Sequence, residues 1–166
     1  MFVEMKVSGL TIDPLTNTPI VILKDLEGKR AVPIWIGLFE ASAIATELEK
    51  ISFSRPMTHD LIRDLLKILE AKVLKIEIVD LRNNTFFACI HLNRNGDTLI
   101  VDSRPSDAIA LALRVNCPIF IDEKVIEKSR NIDFAKKVDE LDKKKTEELK
   151  EFLENLPEED FGKYKM

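Results

Sequence analysis

The stretch Asp102–Arg114, D-S-R-P-S-D-A-I-A-L-A-L-R, decides the fold. Ala108–Leu113 run as six apolar residues without a polar break. A helix lying on a surface shows polar residues every third or fourth position, whereas a helix apolar all round is buried on most sides. The first half of the stretch is the reverse, with Asp102, Ser103, Arg104, Ser106 and Asp107 close together. Pro105 suits a helix start, where its missing N–H costs nothing, and Ser103 or Ser106 suits the cap. The stretch therefore predicts a buried helix whose charged start reaches solvent. Free amides and the helix dipole make such a start attractive to anions.

Upstream, residues 2–12 alternate, with Val3, Met5 and Val7 on one side and Glu4, Lys6 and Ser8 on the other, as in a half-buried strand. Residues 19–24, P-I-V-I-L-K, are apolar on both faces, as in a strand covered on both sides. After a turn at Glu27-Gly28-Lys29 a third strand spans residues 30–36. Residues 38–51 predict a helix with Ala41, Ile44, Leu48 and Ile51 at helical spacing, and small residues at 41–43 and 45 that admit a close neighbour. Ser54-Arg55-Pro56 breaks the chain before a second helix, about residues 58–70, capped by Thr58 and carrying Leu61, Ile62, Leu65 and Leu69 as its buried stripe.

Residues 72–101 predict a three-stranded meander, turning at Arg82-Asn83-Asn84 and at Asn95-Gly96. Leu74, Ile76 and Ile78 share one face, as do Phe86, Ala88, Ile90 and Leu92. Phe87, Cys89 and His91 make the other side of the middle strand rather apolar for solvent, as a second subunit would cover. Beyond the central helix come a short strand over 118–121 and a short helix over 123–129. The expected fold class is α+β. A mixed or antiparallel sheet combines a three-strand N-terminal part, two helices, a three-strand meander, the buried helix and a charged C-terminal helix over 133–153. Residues 1–130 form the domain and 131–166 a charged helical tail.

Composition limits the function classes. No apolar run approaches the roughly 18 residues that span a bilayer, and Glu4 and Lys6 interrupt the first apolar stretch, so no membrane association and a cytoplasmic location are expected. The absence of Gln, with plentiful Lys, Glu and Ile, is compatible with a thermophilic source. Net charge is −4, and the tail holds 11 acids against 8 bases, so a nucleic-acid role needs a local basic patch or a bridging cation. Gly-x-Ser-x-Gly, Gly-x-Gly-x-x-Gly and phosphate-loop motifs are all missing. With only His59 and His91, a Ser–His or Cys–His pair has few ways to form.

Two constellations remain. Arg55 and Arg104 each sit in a Ser-Arg-Pro triplet leading into a helix, so both arginines and the nearby amides, with Ser106, can grip phosphate. The plainer alternative pairs Arg104 with Asp102 or Asp107 to brace the loop. Glu40, Asp60, Asp102 and Asp107, with His59 nearby, can hold Mg²⁺ or Mn²⁺ if they meet in space. Asp60 and Asp107 are equally well explained as acids of a helix first turn.

P-I-W-I-G-L-F-E-A-S-A-I (33–44), R-P-M-T-H-D-L (55–61) and D-S-R-P-S-D-A-I-A-L-A (102–112), in that order, resemble the bifunctional nuclease domain family, and F-L-E-N-L-P-E-E-D-F (152–161) resembles the way many members end. The resemblance implies an α+β fold, a homodimer or larger oligomer, and RNase or DNase action. Its motifs single out Glu40, Arg55, His59, Asp60, Arg104, Ser106 and Asp107. The expected function is a cation-dependent nuclease in which Arg55, Arg104 and Ser106 bind phosphate. Glu40, Asp60 and Asp107 hold the metal there, and His59, with Asp60 and Asp107, carries the chemistry. The rival expectation is a non-enzymatic oligomeric module that binds an anionic ligand or a protein partner.

Overall fold

The computed structural model describes residues 1–130 and, in the tail, residues 151, 154 and 155; the rest of the tail, and with it nearly all of the expected helix over 133–153, lies outside the described residues. Seven strands form one mixed sheet. In chain order the elements are β1 (Phe2–Ile12), β2 (Pro19–Asp25), β3 (Ala31–Trp35), α1 (Leu38–Leu48), α2 (Thr58–Ile68), β4 (Lys72–Arg82), β5 (Thr85–Arg94), β6 (Asp97–Ser103), α3 (Pro105–Val115), β7 (Ile119–Asp122) and α4 (Glu123–Arg130). Across the sheet the order is β3-β2-β1-β7-β4-β5-β6. The N-terminal hairpins and the meander are thus two antiparallel blocks, and β7 is inserted between them, antiparallel to β1 and parallel to β4. The expected α+β class stands.

Turn chemistry sets the meander. Asn83-Asn84 and Asn95-Gly96 all take positive φ, the two-residue geometry whose twist matches the flanking strands. In β4 the alternation is broken by register shifts between Val73 and Lys75 and between Ile78 and Asp80. Val73, Ile76, Ile78 and Leu81 are therefore the buried apolar residues, and Leu74, expected beside Ile76, is 39% exposed. The fully buried reading of β2 holds on both faces. Val21 and Leu23 join the main core, while Ile20 and Ile22 pack with Trp35 on the other side.

The central helix is buried as its composition demands, with Ala108, Ile109 and Ala110 all at 0% exposure. Ala41 and Ala45 of α1 belong to the same core cluster as Ala108, Ala110 and Ala112, so small residues on both helices allow a close crossing. Asn116 takes the left-handed conformation that ends α3. From α4, Val125 and Ile126 enter the same core, and Lys128 donates to the Asp80 carboxylate and the Leu81 carbonyl.

α2 departs from expectation. None of its residues is buried. Leu61, Ile62, Leu65 and Leu69 are 37–52% exposed, and the inward contact is made by Leu66 instead, beside Val73, Leu92 and Leu111. The apolar stripe is present but most of it faces out. Helix caps also differ in detail. Met57, not Thr58, is the N-cap of α2, and Arg104, not a serine, is that of α3. The Ser103 hydroxyl donates to the Arg104 carbonyl instead.

Candidate functional site

Three of the motifs converge at the starts of α1, α2 and α3. Pro105 is the first residue of α3, so Asp107 falls in its first turn; Thr58 likewise places His59 and Asp60 in the first turn of α2. His59 Nε2 lies 2.9 Å from Asp107 Oδ1. Arg104 Nε donates to Asp107 Oδ2 at 2.8 Å, and its Nη1 donates to Glu40 Oε1 at 3.0 Å. One guanidinium therefore bridges the first turn of α1 to the first turn of α3. Gly37 makes room for this: a Cβ there would overlap the Glu40 carboxylate.

Asp60 is used differently. Its Oδ2 accepts from the Met57 amide at 3.0 Å, closing the start of α2, and its Oδ1 accepts from Arg114 Nε at 2.8 Å. Asp107 and Arg114 are seven residues apart, which is two helical turns, or about 10.5 Å along one side of α3. The first turn of α2 is thus fastened to both ends of that side, by His59 at one end and Asp60 at the other.

Between these groups lies an open cleft of about 300 Å³, lined by Glu40, His59, Arg104, Asp107 and Arg114, with Phe39, Phe53 and Met57 as its apolar parts. That volume is at the small end of ligand sites. Phe39 stands 74% exposed at the rim.

The electrostatics favour charged partners throughout. Partial burial raises the Asp107 carboxyl, but hydrogen bonds from Arg104 and His59 outweigh it and hold the group below its usual range. In Asp60 burial is likewise overcome, by the Met57 amide and by Arg114. Each of these carboxyls titrates in the unfolded chain near its ordinary value of 3.8 and lower in the fold. Their stabilisation is complete above the unfolded value and is lost as pH falls through the folded one. The thermal midpoint is therefore expected to stay level between about pH 5 and 7 and to drop below about pH 4. A midpoint that rises on acidification would contradict these pairings.

Not every sequence candidate is here. Arg55 lies in an exposed bend, is not among the residues that line the cleft, and forms no ion pair among the described residues. The repeated Ser-Arg-Pro triplet misleads because Arg104 is itself a helix cap, whereas Arg55 precedes the cap of α2 by two residues. Ser106 is buried and lines a neighbouring groove with Gly37, Glu40 and Pro105. Asp102 pairs across strands with Cys89, on the sheet face away from α3. Among the described residues, Glu40, Asp60 and Asp107 do not form a group of three donors close enough to share one ion. Arg114, whose side chain is 3% exposed, is a site residue outside the sequence candidates. A cation ending an otherwise apolar buried helix needs a partner, and that was the available signal.

A family model described as the bifunctional nuclease domain matches residues 21–133. Uncharacterised proteins from two strains of Mycobacterium tuberculosis are 38% identical to this chain over 167 residues, covering 95% of it and 97% of their own length.

Proposed function

The chain belongs to the bifunctional nuclease domain family, and from that premise we propose that it is a nuclease hydrolysing phosphodiester bonds in RNA, DNA or both, with the cleft between α2 and α3 as its active site. The observation that supports this most is the His59–Asp107–Arg104 chain of hydrogen bonds at two converging helix starts. A carboxylate on one ring nitrogen fixes the imidazole's orientation and tautomer, so the ring can move a proton at the attacking or leaving oxygen. Arg104 is 64% exposed at its side chain and presents its remaining N–H groups to a phosphate. For RNA the attacking group is the substrate's own 2′-hydroxyl; for DNA it is water.

The carboxylates do not fit a resident Mg²⁺ or Mn²⁺ ion. Arg104 already lies between Glu40 and Asp107, and Asp60 is held by Arg114 and an amide. The residues support acid–base chemistry on an arginine-held phosphate without that ion. The test is cleavage of labelled RNA and DNA oligonucleotides by protein purified free of host nucleases, with Mg²⁺, with Mn²⁺ and with EDTA. Activity that co-purifies, persists in EDTA and falls at least tenfold in Arg104→Ala supports the reading. Strict dependence on either ion returns Glu40 and Asp107 to the role of ligands, and activity untouched by Arg104→Ala removes the site. The rival, a module that binds an anion or a partner without turnover, is favoured by the double pairing of Arg104. It predicts binding with no cleavage in any arm.

Phe39 supports a nucleic acid over a small phosphate ester, because an exposed aromatic ring beside a phosphate site is a platform for a base. Phe39→Ala is expected to weaken single-strand binding by roughly 5- to 150-fold, matching about 1–3 kcal/mol per stacked base. Fluorescence anisotropy with a labelled oligonucleotide reads this, and unchanged affinity would leave Phe39 outside the interface.

The homo-oligomer implied by the family has a matching surface. Leu61, Leu65 and Ile68 of α2 and Leu69 just after it are exposed, and so are Leu99 and Val101 of the edge strand β6. Leu99 lies opposite Leu92, which packs with Leu66 of α2, so the two patches share one side of the molecule. A second copy burying this side is expected to be lost in Leu65→Glu with Val101→Glu, read as a halved mass by light scattering. An unchanged mass would place the interface elsewhere. No helix among the described residues is long and apolar enough to cross a membrane.

A further inference from the structure

A second group of chemically capable side chains lies on the sheet face away from α3. Ile76 and Ile78 point to the core, so Glu77 between them points the other way, as do Cys89 and His91 between the core residues Ala88, Ile90 and Leu92. Glu77 is directly opposite Cys89 in the β4–β5 register, and His91 follows Cys89 by two residues on the same strand. Two donors spaced by two on one strand, with a third on the neighbouring strand, converge above the sheet without help from a loop.

The distances fit an ion. Cys89 Sγ is 3.5 Å from His91 Nε2, which in turn is 2.8 Å from Glu77 Oε2. One donor atom from each residue lies within 4.8 Å of the other two. Around tetrahedral zinc, with Zn–S of about 2.3 Å and Zn–N or Zn–O of about 2.0 Å, donors stand roughly 3.3–3.6 Å apart. The sulfur–nitrogen pair has that spacing already, and the carboxylate needs to move back by about half an ångström to admit the ion. The site is also sheltered. Glu77 is 7% exposed, and the His91 side chain 13%. Lys75 bonds the other carboxylate oxygen, Oε1, and so leaves Oε2 facing His91. Asp102 faces Cys89 from β6 and supplies further negative charge.

We propose that Glu77, Cys89 and His91 bind zinc, or a comparable borderline-soft divalent ion, with a fourth position left for water. Thiolate, imidazole and carboxylate together select such an ion over magnesium or calcium, which prefer oxygen alone. On binding, Cys89 releases its thiol proton to solvent, and the His91 ring carries its remaining proton on Nδ1, leaving Nε2 to the metal. Zinc then meets two negative ligands, and Lys75 stays paired with Glu77.

The experiment is titration of the full chain, stripped by chelator, with Co²⁺. The expected result is one ion per chain, with the near-ultraviolet thiolate-to-cobalt band and the intense visible bands of a tetrahedral site, all abolished by added Zn²⁺. Cys89→Ser is expected to lose the thiolate band and His91→Ala to weaken it, each checked for an unchanged far-ultraviolet circular dichroism spectrum. They should also lose affinity by more than the ~10–100-fold typical of an outer-shell change. Zn²⁺ should slow reaction of Cys89 with a thiol reagent. Burial pushes the Cys117 thiol up to about 11, so it contributes little at neutral pH. Bands that survive in folded Cys89→Ser, or their absence in the wild-type chain, would overturn the proposal. Neither readout involves nuclease activity, and His59→Ala and Asp107→Asn are expected to leave cobalt binding intact, so the two sites are judged separately.

Discussion

His59→Ala is expected to lower phosphodiester cleavage by about two to four orders of magnitude, the range that a positioned proton-transfer group contributes. The imidazole has one ring nitrogen committed to Asp107 at 2.9 Å, and its side chain is 12% exposed in the cleft wall. Removing the ring removes the proton carrier but leaves Arg104 on Asp107 and Glu40, so substrate binding should change little and the loss should fall on kcat. Asp107→Asn acts through the same ring. The amide no longer carries the charge that balances an imidazolium, and it loosens Arg104 as well, so both kcat and KM should worsen. The double variant should cost less than the two single losses combined, because both act on one proton transfer. A His59→Ala enzyme that retains near wild-type kcat on RNA and DNA would end the acid–base reading. The cleft would then be a binding site at most.

How much of this was legible beforehand differs by level. The buried helix was visible in Ala108–Leu113 because six apolar residues admit few other placements. The hairpin turns were visible because Asn and Gly take positive φ cheaply. The charge of the two helix starts is legible in the sequence, but that His59 and Asp107 meet is decided by tertiary packing. Insertion of β7 between the two antiparallel blocks was not anticipated, since four residues carry no mark of which strands they join. The apolar stripe of α2 is wide, so the sequence does not fix Leu66 as its inward residue. Periodicity reports that a helix has an apolar side, while only tertiary contact decides which part of it is covered. The partition of the acids was equally hidden. Asp60 and Asp107 occupy equivalent first-turn positions, and nothing local distinguishes the one that faces Arg114 from the one that faces His59 and Arg104.

Arg114→Ala is expected to be the most damaging single change outside the hydrophobic core. α2 has no buried residue, so little apolar burial holds it. Its attachment relies on Leu66, on the His59–Asp107 contact and on the Arg114–Asp60 pair. The Arg114 side chain is 3% exposed and Asp60 20% exposed, and Arg114 also donates to the Ala110 carbonyl at 2.9 Å. Stripping one partner from a buried ion pair costs about 3–5 kcal/mol, because the other charge stays behind. Asp60 keeps the Met57 amide and a distant Arg63 at 3.9 Å, which brings the expectation down to roughly 2–3 kcal/mol. The loss should be local first. Backbone amides of residues 58–68 should exchange faster while β4, β5 and α3 keep their protection, and cleavage should fall as His59 loses its fixed place. Replacing both charges, Arg114→Met with Asp60→Asn, leaves no unpaired charge and keeps an acceptor for the Met57 amide, so most of the stability should return. Urea unfolding and hydrogen exchange on the three proteins decide the matter. If α2 exchanges no faster in Arg114→Ala, the pair does not fasten the helix, and the cleft owes its shape to Leu66 and the His59–Asp107 contact alone.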